Sequence, residues 1–234
     1  MSKRYQQAAQ LVDQKTTYQL DQAVKLLQQF PAAKFDESVQ LSASLNIDPK
    51  KTDQVVRGTV TLPHGTGKTR KILVFCKGEK ELVAKEAGAD VIGGTELIAK
   101  IEGGWLEFDV VVATPEMMRE VSRLGRILGP RGLMPNPKAG TVTDDVAKAV
   151  QDLKRGKVEF KMDKLANIHL VIGKRSFQPQ QLLENGQAAM EAIVRAKPAS
   201  LKGRMLRRCS VASAMSPGIT LKIEGLETEG AQEE

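Results

Sequence analysis

Gly65-Thr-Gly-Lys-Thr69 brings together residue types that could hold a phosphate, with backbone amides to cradle its oxygens and a lysine to neutralise it. The spacing departs from such a loop. Leu62, not glycine, stands five positions before Gly67, and the stretch precedes an apolar strand, Ile72 to Cys76, instead of opening a helix. Glycines beside a change of texture suit a hinge between domains, and that is the expected role. His64 and His169 are the two histidines of the chain. A triad or a metal centre would need partners that no spacing here supplies, so no catalytic residue, metal or other cofactor is expected. Cys76 and Cys209 lie far apart without a neighbouring Cys or His at ligand spacing, and read as buried thiols.

The densest concentration of unusual residues is Gly125 to Thr141, with four glycines, three prolines and the cations Arg126, Arg131 and Lys138. Proline limits backbone freedom, glycine permits close approach, and the cations could meet phosphates. The same composition also suits a surface crossover loop that closes a parallel sheet.

These residues need a scaffold. The chain has 234 residues, 41% hydrophobic and 27% charged, which is ordinary for a folded protein and allows one large core or two modest ones. No apolar run approaches the roughly 20 residues of a membrane-spanning helix, and the polar start carries no secretion signal, so a cytoplasmic protein without membrane contact is expected. The net charge of +7 favours polyanionic partners, and its distribution is uneven. Residues 67–156 carry 15 basic and 13 acidic residues, whereas the flanking segments carry 20 and 15. Five of those 15 acids fall in the last eleven residues, an acidic tail expected to be disordered, so the flanking body without it stands at +10.

Apolar spacing of three and four predicts helices over 3–12 and 18–29. Strict alternation from Ser38 to Ile47 predicts a half-buried strand, and Val55 to Leu62, after a Pro-Lys-Lys turn, reads as its antiparallel partner. From residue 70 strands and helices alternate: a strand at Ile72, helix 79–87, a strand at Asp90, helix 96–101, and then Phe108 to Ala113, apolar on both faces. Thr114-Pro115 reads as the cap of a helix over 116–124, and Thr143 as the cap of one over 144–154. Beyond Gly156, residues 157–161 and 168–172 read as a hairpin, followed by a helix over 179–196 and strands near 205–213 and 219–224. The expected architecture is α/β in two domains. Residues 1–66 with 157–234 form a split α+β sandwich with an antiparallel sheet, and residues 67–156 form an inserted Rossmann-like parallel α/β domain.

Leu128-Gly-Pro-Arg-Gly-Leu-Met-Pro-Asn-Pro-Lys-Ala-Gly-Thr-Val142 resembles the signature of the L-one family of large-subunit ribosomal proteins. The resemblance continues through Ala33-Lys-Phe-Asp-Glu-Ser38, Asn46 to Gln54, Val56 to Gly65 and Ile168-His169, and so spans nearly the whole chain. It implies the same fold, no enzyme activity, and an rRNA-binding constituent of the mobile stalk, monomeric when free of the ribosome. It further implies contact with exit-site tRNA and with other ribosomal components, and translational repression of the protein's own operon mRNA.

The family's main RNA patch falls here on Lys34, Phe35, Glu37 and Ser38. Lysine can neutralise a phosphate, the ring can pack on a sugar or base, serine can bond a ribose hydroxyl, and Glu37 would orient a neighbour. Its second patch, a Thr-Met-Gly, reads Ala214-Met215-Ser216 here, so only Met215 carries over unchanged and Ser216 adds a side chain where close backbone approach is expected. Lys161, Lys164, His169 and Lys174 are further candidates. His169 lies on the polar side of its strand, where it meets either RNA or solvent, and Lys164-Leu-Ala-Asn167 stands where the family has a glycine turn. Two rival readings are a nucleotide-using enzyme built on the parallel middle and a protein-binding scaffold.

Overall fold

A computed structural model describes residues 2–223 apart from Gln14, Lys50 and Lys202; the side chains of Thr52, Glu79 and Lys138 and the acidic tail lie outside the described residues. The chain divides into two compact units, Met1–Gly67 with Gly156–Glu234 (unit 1) and Lys68–Arg155 (unit 2). Unit 1 opens with helices α1 (Lys3–Gln10) and α2 (Leu20–Gln29) and strands β1 (Ser38–Leu45) and β2 (Arg57–Thr61). Unit 2 follows with β3 (Ile72–Phe75), α3 (Glu79–Glu86), β4 (Val91–Gly93), α4 (Thr95–Glu102), β5 (Val110–Ala113), α5 (Met118–Val121), α6 (Gly125–Leu128) and α7 (Val146–Lys154). The chain returns to unit 1 through β6 (Lys157–Lys161), β7 (Asn167–Lys174), α8 (Pro179–Arg195), β8 (Leu206–Ser213) and β9 (Ile219–Leu221).

The alternating residues of β1 divide as their polarity dictates. Val39, Leu41, Ala43 and Leu45 are buried in a core shared with Val24 and Leu27 of α2 and Leu182 and Ile193 of α8. Gln40, Ser42 and Ser44 point to the other side of a four-stranded antiparallel sheet ordered β7-β1-β8-β9, where they remain partly or fully exposed. The expected pairing of β1 with β2 does not occur. Residues 46–56 intervene, too many for a tight hairpin, and both edges of β1 are taken by β7 and β8, so β2 pairs with β6 in a separate two-stranded ribbon.

For the same reason β6 and β7 are not a hairpin ladder: each follows a different partner into a different sheet. The turn between them is nevertheless tight. The Asp163 carboxylate accepts the N–H groups of Asn167 (2.7 Å) and Leu165 (2.8 Å), which hold its pKa below the usual carboxylate value. Ala166 takes the left-handed conformation (φ +60°) expected of glycine, kept there by its N–H to the Asp163 carbonyl and its own carbonyl accepting Leu45 N–H at 2.8 Å.

In unit 2 the parallel sheet runs β4-β3-β5 and is apolar on both faces. Leu73 and Phe75 pack with Ile98 and Ile101 of α4 and Val121 of α5, while Ile72 and Val74 pack with Ala84 of α3 and Val150 of α7. Two expected caps are not made. The hydroxyl of Thr114 is buried without a partner, and helix proper begins only at Met118. At α7 the cap is Asp145, whose carboxylate accepts Lys148 N–H at 3.1 Å; the Thr143 hydroxyl accepts Asp145 N–H one step earlier. The Gly/Pro-rich stretch contains α6 and then a single turn at Pro137–Ala139. It returns alongside β5, where Ala113 N–H meets the Thr141 carbonyl at 2.9 Å. Both cysteines are buried thiols, and burial pushes Cys209 up to about 12. Among the described residues no helix is long and apolar enough to cross a membrane.

Gly156 begins the return to unit 1 with φ +102°, and a Cβ there would lie 2.4 Å from Gly65 Cα. Neither the conformation nor the contact tolerates a side chain. Gly156→Ala is expected to lower the stability of unit 1 by about 2 kcal/mol, read as an earlier urea midpoint with an unchanged slope.

Candidate nucleic-acid interface

The loop between α2 and β1 carries Lys34 and Phe35, both exposed, with 55% of Phe35 open to solvent despite its size. A bare aromatic ring beside a lysine is available for contact and contributes little to the core. Two residues on, Glu37 is only 1% exposed. Its carboxylate accepts Arg4 Nη1 of α1 at 2.8 Å and the hydroxyl of Ser213 at the end of β8, and lies 3.7 Å from Arg175 Nη1. Arg175 in turn donates to the carbonyls of Gln28, Phe30 and Pro31 at the end of α2, where helix carbonyls lack partners. One buried carboxylate thus ties α1, the Phe35 loop, β8 and, through Arg175, the end of α2. A charge so deep is stable only with such partners.

The register of the sheet decides what shares this end of the molecule. Ser38 lies opposite Lys174, and Val39 opposite Ser213, so Lys174 and the turn holding Met215 and Ser216 gather beside Glu37. Lys174 Nζ donates to the Asp36 carbonyl at 3.2 Å, while the Asp36 carboxylate accepts the N–H and hydroxyl of Ser176. Met215 is 56% exposed, and its carbonyl lies 3.4 Å from Arg4 Nη2. The Ser216 hydroxyl is occupied: it accepts Ser213 N–H at 3.0 Å and closes the turn. The side chain that looked like an obstruction therefore serves the local fold.

Lys161 and Lys164 are not brought to this end. Ser44 lies opposite Asn167, and Leu45 N–H bonds the Ala166 carbonyl, so the 163–167 turn sits at the far end of β1, roughly 23 Å along the strand. Both lysines are exposed there. His169 lies midway on the open face, opposite Ser42, whose hydroxyl is 3.1 Å from His169 Nδ1. That face continues through Ser210 and Arg208 of β8, with Arg208 Nη2 donating to the Thr220 hydroxyl at 2.9 Å. Sequence reasoning passed over Arg4, Ser42, Ser210 and Arg208. The alternation of β1 already marked Ser42 as facing away from the core, but nothing local marks Arg4 as a neighbour of Glu37.

The remaining candidates lie elsewhere. Arg126 and Arg131 are exposed on unit 2, and the side chain of Lys138 lies outside the described ones. The Gly65–Thr69 loop is tied to α8 by the buried Asn185, which accepts His64 N–H at 3.0 Å and donates to the Gly65 carbonyl at 2.9 Å. His64 Nε2 lies 2.5 Å from Glu184 Oε2 and lowers that carboxyl's pKa. Among the described residues no cluster of His, Cys, Asp and Glu is arranged to hold a metal ion.

Residues 27–217 match the model of the ribosomal protein L1p/L10e family. Similar curated proteins include the large ribosomal subunit protein uL1 of Kosmotoga olearia, 57% identical over 220 residues that cover 94% of this chain and 95% of that one. The protein of the same name from Nocardioides sp. is 55% identical over 236 residues, covering 99% and 98%. That from Cutibacterium acnes is 56% identical over 220 residues, covering 94% and 95%. A family match across most of the chain and relatives above half identity along nearly all of it lead to one assignment: the chain belongs to the ribosomal protein L1p/L10e family.

Proposed function

We propose that the protein is a structural constituent of the large ribosomal subunit that binds rRNA through unit 1, with neither catalysis nor a cofactor. The observation that carries this reading is the convergence on Glu37 of the Lys34-Phe35 loop, Arg4 and the 213–216 turn, beside Lys174. That end offers cations for phosphates and two exposed apolar side chains, Phe35 and Met215, for bases or sugars. The polar open face supplies hydroxyls, an imidazole and Arg208 for ribose and phosphate oxygens along the same sheet. The family resemblance extends the reading to release of deacylated exit-site tRNA and to repression of the protein's own mRNA. An mRNA segment that imitates the rRNA site would compete for this one surface, so ribosome binding and repression would exclude each other.

Phe35→Ala tests the reading. Losing a stacked ring weakens binding by roughly 1–3 kcal/mol. Titration of an rRNA fragment should show that loss, while the thermal midpoint should stay put because the ring is half bare. Unchanged affinity in a folded variant would remove Phe35 from the interface and, with it, the main support for this surface.

A further inference from the structure

The parallel sheet of unit 2 has two edges, and they differ. Beside β5 the chain returns, with Ala113 N–H meeting the Thr141 carbonyl at 2.9 Å and Ala113 bridging to Val142. Strand β4, at the other edge, pairs with β3 and with no other strand among the described residues. Its residues Val91, Ile92 and Gly93 are each partly exposed, whereas every residue of β3 is buried. Val91-Ile-Gly93 holds neither a charge nor a proline, two devices that keep a second chain off an edge. Beside it lies a hollow of about 430 Å³, walled by Val91 of β4, Leu97 and Lys100 of α4, and Trp105. We propose that this edge and hollow form a docking site for an extended protein segment, which adds a strand to β4, seats one large apolar side chain against Trp105 and places a carboxylate on Lys100.

Each part of the site specifies one property of the occupant. An edge strand presents N–H and C=O groups that an extended backbone satisfies, which sets the conformation. A strand of three residues makes few such bonds, so the hollow must carry much of the affinity. Trp105 is held in place there: its N–H closes the last turn of α4 on the Lys100 carbonyl at 3.1 Å, and its ring centroid lies 5.6 Å from that of Phe108. A ring already fixed gives contact area at little ordering cost. Val91 and Leu97 complete an aliphatic wall, against which an apolar side chain gains and a polar one does not. Lys100 is exposed, and its ammonium has no ion-pair or hydrogen-bond partner among the described residues, so it can meet a carboxylate from outside. Nucleic acid is the poorer match. One lysine cannot follow a phosphate backbone, and residues 67–156, with 15 basic and 13 acidic residues, stand at only +2.

The test uses the full chain and a synthetic peptide with leucine at its centre, glutamate two positions away on each side so that all three share a face, and threonine or serine elsewhere. Trp105 is the chain's one tryptophan, so its emission reports occupancy of the hollow directly. Titration is expected to give a saturable blue shift. Leucine→alanine in the peptide should weaken binding about tenfold or more, the scale of one buried aliphatic side chain. N-methylation of the peptide backbone, one position at a time, should weaken binding about fivefold at every second residue and spare those between, because successive N–H groups of a strand face opposite edges. Lys100→Gln, an exposed change that leaves the fold intact, should erase the preference for glutamate over glutamine while keeping that alternation. Uniform sensitivity to N-methylation, or none, would exclude strand addition, and indifference to leucine→alanine would leave the hollow without its role. No saturable shift up to about 1 mM peptide overturns the proposal. So does a Trp105 shift produced instead by the rRNA fragment, by rising protein concentration or by removal of residues 224–234, which would give the hollow to RNA, to a second copy or to the chain's own tail.

Discussion

Glu37→Ala is expected to destabilise unit 1 by about 3–5 kcal/mol, the largest effect of any single change considered for this chain. The carboxylate is 1% exposed and faces Arg4, Arg175 and the Ser213 hydroxyl. Its removal leaves two guanidinium groups, each mostly buried, without their anion, and a buried hydroxyl without its acceptor. Uncompensated buried charge costs far more than the lost contact area, which is why the expected figure exceeds that for truncating an apolar side chain of similar size. Glu37→Gln keeps the shape and one acceptor oxygen, and should cost about 1–2 kcal/mol instead.

The measurement has a built-in control. Trp105 is the chain's one tryptophan and belongs to unit 2, so its fluorescence follows that unit. Urea titration of Glu37→Ala should shift the far-ultraviolet dichroism transition of unit 1 to lower urea and leave the Trp105 transition in place. An unshifted dichroism midpoint would mean that Glu37 is solvated in solution and does not tie these elements together.

The depth of Glu37 marks where reading from sequence stopped. Strand β1 was legible because its polarity alternates with the pleat, and β5 because a run apolar at every position needs cover on both faces. Helix α8 was legible from its periodicity. Pairing was not. The Pro-Lys-Lys turn signal suggested that β1 meets β2, whereas β1 is flanked by β7 and β8, more than 120 residues away, because those strands complete its buried face. Caps were misplaced by one or two residues where several Thr and Asp compete, as at Thr143 and Asp145. For the candidate site, Phe35 was reached through the family resemblance, since nothing in the local pattern separates a ring that faces solvent from one that packs in the core. Glu37, in that same loop, was expected to orient a neighbour, but its depth and its partners were not legible, since Arg4, Arg175 and Ser213 come from three distant segments.

The second large effect concerns which unit binds RNA. Residues 1–66 joined to 157–234 by a short flexible linker should fold and bind the rRNA fragment within about threefold of the full chain, while residues 68–155 alone should bind about a hundredfold more weakly or worse. The junction allows this surgery. Leu62 N–H meets the Gly156 carbonyl at 3.3 Å, and a Cβ on Gly156 would stand 2.4 Å from Gly65 Cα, so the two chain segments that lead into unit 2 already lie side by side. A few residues span the gap with little loop-closure cost. Every candidate except Arg126, Arg131 and Lys138 stays with the joined segments, and so does the surplus of +10 outside the acidic tail. Because counterion release scales with the cations that meet phosphates, the joined protein should also keep the salt slope of the full chain. A slope clearly shallower than that of the full chain would assign phosphate contacts to Arg126 and Arg131, and tight binding by residues 68–155 alone would move the interface to unit 2 altogether.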